Sequence, residues 1–180
     1  MVEKKKSTNH APNSLQIRRM VLTGLLFAVI LVLSVLENEL QLPVPVPGVK
    51  LGLSNIVVMY SLFFVGKKQA LLLAILKSLF VFLTRGAIAS FLSLCGGILS
   101  ILVMIVLLFV FKDKISYLII SIFGAVFHNV GQFIAISLLY TSLNLWAYLP
   151  ILLVSGVIAG FATSTLLKFS LPALKRVGLK

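Results

Sequence analysis

Residues 20–36 read MVLTGLLFAVILVLSVL, seventeen positions with no charged side chain. A helix needs roughly 17–25 apolar residues to cross a hydrocarbon core about 30 Å thick, so this stretch predicts a membrane span. A cleaved leader is the competing reading. The run is longer than the roughly 7–15 apolar residues of a signal peptide, and no small-x-small cleavage site follows it. The preceding Arg18-Arg19 pair lacks the rest of a twin-arginine context. The segment therefore reads as a retained helix.

Outward from it, the chain supplies more segments of the same kind. The apolar runs are Ile17–Leu40, Leu51–Val65, Gln69–Leu83, Ile88–Phe111, Ile115–Tyr140 and Leu145–Leu171. The second and third are short and read either as spans with little tilt or as partly re-entrant segments. Backbone groups in lipid must bond within their own segment, which makes these runs helices. Composition agrees: 60% of the 180 residues are hydrophobic, 11% are charged, and mean hydropathy is +1.15, against about 25% charged in a soluble domain. The expectation is an all-α integral membrane protein. It has a disordered basic tail over 1–16, six transmembrane helices over 17–171 and a second basic tail over 172–180, with no room for a soluble domain.

Charge sets the orientation. On these boundaries thirteen basic residues fall on one side, in the two tails and beside Gly66 (Lys67, Lys68) and Asp113 (Lys112, Lys114); Lys50 and Arg85 alone fall on the other. By the positive-inside rule both termini are cytoplasmic. The net charge of +12 is then largely topology and contact with anionic lipid. No basic folded module is present that would serve nucleic acid. The loop Gln41–Lys50, with Pro43, Pro45 and Pro47, lies outside and reads either as a structured cap or as a stiff turn.

With that topology the polar side chains gather between mid-depth and the outer surface, while the cytoplasmic halves are almost wholly apolar. Glu37 ends helix 1, and Lys50 and Asn55 begin helix 2. Lys77 sits near the middle of helix 3 with Arg85 at its outer end. A lysine at mid-membrane costs on the order of 2.5–3.5 kcal/mol and usually faces a cavity or a partner, so Lys77 either lines a pocket, snorkels, or pairs with Glu37 or Glu39. Helix 5 places Gly124, His128, Gly131 and Gln132 on one stripe, with Asn129 one step around. These polar groups read as pocket-lining, or as interhelical hydrogen bonds. In helix 4, Ser93, Gly96, Gly97 and Ser100 either let helices approach closely or leave room for a flat ligand. Gly24 and Ala28 in helix 1 form a small-residue face, for packing or for docking another membrane protein.

The cations outnumber the acids in the outer half. The expected ligand is thus a small anionic or zwitterionic molecule with an apolar body, held between aromatic walls (Phe80, Phe82, Phe91, Phe127, Phe133) and needing no metal or covalent cofactor. Enzymatic readings fail on what is missing. No phosphate-binding G-x-x-x-x-G-K-[ST] loop occurs. The single aspartate, Asp113, cannot supply the aspartate-rich motifs of a prenyl diphosphate synthase, and Cys95 has no second cysteine to pair with.

Three runs carry a resemblance: Pro47-Gly48-Val49-Lys50-Leu51-Gly52-Leu53-Ser54-Asn55; Arg85-Gly86 with Gly96-Gly97-Ile98-Leu99-Ser100; and Gly124-Ala125-Val126-Phe127-His128-Asn129-Val130-Gly131-Gln132. They resemble the bacterial membrane family called Gx transporter or heptaprenyl diphosphate synthase component I. That family is similar to the substrate-binding (S) components of energy-coupling factor vitamin transporters. The resemblance implies a six-helix bundle with an outward-facing pocket. It also implies a flavin- or quinone-related ligand, with Gly24 and Ala28 standing loosely where S components carry an Ala-x-x-x-Ala coupling motif.

Two functions follow as expectations. In the first, the chain is an S-component-like transport protein, working with a transmembrane coupling protein and ATPases. In the second, it is a non-catalytic membrane subunit or anchor of an isoprenoid, quinone-synthesis or electron-transfer complex.

Overall fold

The computed structural model describes residues 14–39, 53–140 and 145–176. These form six α-helices: α1 (Ser14–Glu39), α2 (Leu53–Phe64), α3 (Lys67–Arg85), α4 (Ala87–Phe111), α5 (Tyr117–Leu139) and α6 (Leu149–Arg176). Short 3-10 turns occupy Lys112–Lys114 and Leu145–Tyr148, and no strand occurs among the described residues.

Four helices are long and apolar enough to cross a membrane, through the stretches Gln16–Glu37, Ala87–Phe111, Tyr117–Leu139 and Leu149–Phe169. The other two differ from the expected spans in opposite ways. α2 has 12 residues and rises about 18 Å, short of a hydrocarbon core. α3 has 19 residues, but Lys67, Lys68, Lys77 and Arg85 lower its hydropathy. The outer helices also overrun their expected limits: α1 starts at Ser14, and α6 continues through Pro172 to Arg176.

Glycine makes the two tight reversals. Gly66 stands at φ 148° between α2 and α3, and Gly86 at φ 88° between α3 and α4, where an L side chain would be strained. At Gly86 a Cβ would meet nothing within 4 Å, so backbone conformation rather than space calls for glycine there. The Ser116 hydroxyl caps α5 by accepting from the Ile119 amide at 3.3 Å, which satisfies one of the orphan donors of that terminus.

α5 is the central pillar, packed most extensively against α4 and α6. Its seams are lined by glycine because the backbones nearly touch. A Cβ on Gly131 would lie 2.9 Å from the Cys95 oxygen and the Gly96 Cα; one on Gly160 would lie 2.5 Å from the Ile122 Cα. Dispersion at such close approach drives helix association in lipid, where water gives no hydrophobic push.

The packed core belongs to the Gly66 end of the bundle. Leu22, Leu26 and Ile30 of α1 meet Val57, Val58, Met59 and Leu62 of α2, Leu73 of α3, Ile101 and Met104 of α4, Ile120 of α5 and Leu167 of α6. Large apolar side chains also cover the outside, among them Leu83, Phe109, Leu138, Phe161 and Phe169. A belt of this extent on a monomer marks a surface made for lipid or protein rather than water. The opposite end of the bundle, marked by Gly86, is not filled in the same way.

Candidate functional site

A cavity of about 370 Å³ occupies that end, and all six helices contribute to its wall. The volume lies within the range of small-molecule sites, roughly 300–1,000 Å³. Its rim holds the exposed Thr84, Arg85 and Ile88 at the α3–α4 reversal.

Eight of the expected site residues line it: Glu37, Asn55, Lys77, Arg85, Ser93, His128, Asn129 and Gln132. They come from five helices. α1 runs toward the Gly86 end and places Glu37 there, while α2 starts at that end and supplies Ser54 and Asn55 in its first turn. Ser54 donates to Glu37 Oε2 at 3.2 Å. Lys77, half-buried eight residues before the end of α3, donates its ammonium to Asn55 Oδ1 at 2.5 Å. The Glu37 carboxylate is also within electrostatic reach of Lys77, so the lysine faces both the cavity and the acid of α1. Of the readings open for Lys77, the cavity wall is where its side chain stands, with Asn55 as its hydrogen-bond partner.

On the other wall, α5 presents His128 and Gln132. The His128 ring lies against the Gly96 backbone, and among the described residues its Nδ1 has no hydrogen-bond partner. Asn129 borders the cavity, but its amide is engaged elsewhere: Nδ2 donates to the Leu152 carbonyl at 2.8 Å and to Ser155 Oγ at 3.2 Å. It ties α5 to α6.

The remaining expected residues fall differently. Gly96 is a packing position, since a Cβ there would come 2.7 Å from the His128 carbonyl oxygen. Gly97 faces Ala74 and borders a side void of about 20 Å³ next to Lys77. Lys50 lies outside the described residues. Gly24 and Ala28 are exposed on α1, with nothing within 4 Å of a Cβ placed on Gly24; neither lines the cavity. The expected aromatic wall is corrected to one residue. Phe80 lines the cavity, Phe82 and Phe91 are exposed, Phe133 packs edge-on against Trp146 at 5.5 Å, and Phe127 stacks on Phe123 at 6.4 Å. On α5, the helix rotation that aims His128 inward turns Phe127 aside, toward Phe123.

The structure adds wall residues not singled out from the sequence as site residues: Ser34, Ser54, Met59, Ser121 and Thr163. Ser121 was legible, because it stands one turn before Gly124 on the same α5 stripe as His128. Thr163 was not, since a small-residue face on α6 looks like any packing seam. The half of the bundle expected to be almost wholly apolar includes the small buried hydroxyls of Thr23, Ser61 and Ser164.

The wall offers two cations, one carboxylate, amides and hydroxyls around an apolar majority. Among the described residues no three His, Cys, Asp or Glu side chains come together to hold a metal. Such a lining can bind and orient a small molecule.

Helices of this length and apolarity around a cavity with a few convergent polar groups define a helical membrane protein. The model of one family, "Heptaprenyl diphosphate synthase component I", matches residues 26–170, and the chain belongs to that family. Neither a curated protein nor a solved structure matches the chain.

Proposed function

We propose that this protein is a non-catalytic, multi-pass membrane subunit that binds a small anionic or amphipathic molecule in the cavity and acts together with separate proteins of an isoprenoid- or quinone-synthesis assembly. The observation that carries the binding role is the shared cavity at which Lys77 and Arg85 of α3 converge with His128 and Gln132 of α5. The family's description supports the assembly. The absence of aspartate-rich motifs supports a binding role rather than catalysis, because such synthases hold magnesium diphosphate through carboxylates. On this reading all six helices lie in a bacterial plasma membrane with both termini cytoplasmic, the side on which thirteen basic residues fall.

A second reading is favoured by one observation. Gly24 and Ala28 lie on an exposed face of α1 with open space above Gly24, as a coupling surface requires. In that reading the chain is an S-component-like uptake protein for a flavin- or quinone-related molecule, driven by a transmembrane coupling protein and ATPases.

Affinity purification from mild detergent, followed by native mass spectrometry and absorbance of the isolated protein, tests both. A co-purifying soluble prenyl synthase supports the first reading. ATPases with a coupling protein, or a yellow flavin-bearing preparation, support the second. A preparation that carries no small molecule and takes up none offered to it overturns the binding role common to both.

A further inference from the structure

Resting on the reading of the cavity as a binding site, we propose that its ligand is a slender single-chain amphiphile, its anionic head held near Lys77 and Arg85 and its tail running along α5 to Ser121. The shape is the first argument. Wall residues of α4 extend from Ile88 to Met104 and those of α5 from Ile136 to Ser121, about 24 Å and 22 Å at 1.5 Å per residue. A sphere of 370 Å³ would be about 9 Å across, and wall atoms in contact at about 4 Å on either side would span about 17 Å; the longer wall points to a cavity extended along the helices.

The second argument is how hydrogen-bonding capacity is distributed along that length. Near the rim, Lys77 retains ammonium protons beyond the one given to Asn55. Among the described residues no hydrogen bond engages Arg85 or the Gln132 amide. The deep end is different. Ser100 donates to the Gly124 carbonyl at 2.7 Å, and Ser121 donates to Met59 Sδ at 3.0 Å. The Ser100 and Ser121 hydroxyls therefore spend their protons within the protein, and no charged residue lines that part. Beside the hydroxyl of Thr163, what faces a ligand there is mostly carbon and thioether, from Met59, Met104, Ala125 and Ala159. Methionine adapts its shape to a flexible apolar chain.

A polar head thus finds partners at the rim, and a tail finds an apolar slot. The slot from the level of His128 to Ser121 is on the order of 10 Å long. A broad flat ring system uses the deep end poorly, whereas a short alkyl or prenyl chain fills it. The negative charge of Glu37 stands beside Lys77, and the two cations of α3 outnumber that one carboxylate, which favours an anionic head.

Native mass spectrometry of the full chain in detergent, titrated with n-alkyl phosphates from butyl to dodecyl, tests the proposal against inorganic phosphate and riboflavin. The expected result is one ligand per chain, with affinity rising roughly fourfold per added methylene until the tail spans the slot, then levelling. Ala125→Leu should bring the plateau to a shorter chain, and the wild-type series decides the matter if that variant fails to fold. One-to-one binding of riboflavin without the alkyl phosphates overturns the amphiphile and leaves the binding role standing. Phosphate alone binding as tightly as octyl phosphate overturns the tail slot. So does affinity that climbs unabated through dodecyl, which is partition into the micelle. Binding of none of these probes by a preparation without a co-purified ligand overturns both the amphiphile and the binding role.

Discussion

The Lys77 ammonium donates to Asn55 Oδ1 and so joins α3 to the first turn of α2 at the wall of the cavity. A lysine at this depth has its charge met by an amide and by the nearby Glu37 carboxylate, instead of reaching for the interface. Lys77→Gln keeps a polar side chain of moderate length and removes the charge. We expect affinity for an anionic ligand to fall about 10- to 100-fold, the scale of a charge-assisted hydrogen bond, with thermal unfolding in detergent little changed. Unaltered affinity in titration calorimetry would remove Lys77 from the site.

Asn129 borders the cavity, yet its side chain fastens α5 to α6 through Leu152 and Ser155. Asn129→Ala should therefore act on stability, by about 0.6 kcal/mol and at most about 1.7 kcal/mol, as interhelical bonds in membranes do. Ligand affinity should stay within a factor of about two, well short of the loss of a direct hydrogen bond. A large loss of affinity at unchanged stability would show that the amide turns inward.

The glycines of the α5 seams and Gly24 make a matched contrast. Gly160→Val drives a side chain into the Ile122 backbone, and overpacking of this kind costs about 1–3 kcal/mol or more. Gly24→Val meets nothing and should leave the unfolding temperature of the isolated protein unchanged. If Gly24→Val nonetheless abolishes co-purification of a partner, the α1 face is a docking surface; retained partners place docking elsewhere.

Orientation is measurable with a single reporter thiol. In a Cys95→Ser background, Lys67→Cys should react with a membrane-impermeant maleimide only after the cells are opened. Arg85→Cys should react in intact cells. The reverse pattern would place the cavity mouth on the cytoplasmic side and remove the uptake reading.

The helical membrane class was determined by the sequence alone, because lipid admits few solutions for an uncharged run such as residues 20–36: every backbone group must bond within its own helix. The stripe through Gly124, His128 and Gln132 was legible for a related reason, since helical periodicity fixes which side chains share a face. Rotation and depth of one helix against another are not periodic properties of a single segment. Only the tertiary structure decided that α2 is too short to cross on its own, that Asn129 turns to α6 while His128 borders the cavity, and that Gly96 packs instead of making space. It also decided that the cavity continues down to Ser121 and Thr163. Close backbone approach at Gly131 and Gly160 sets those rotations, and it depends on pairs of residues far apart in the chain.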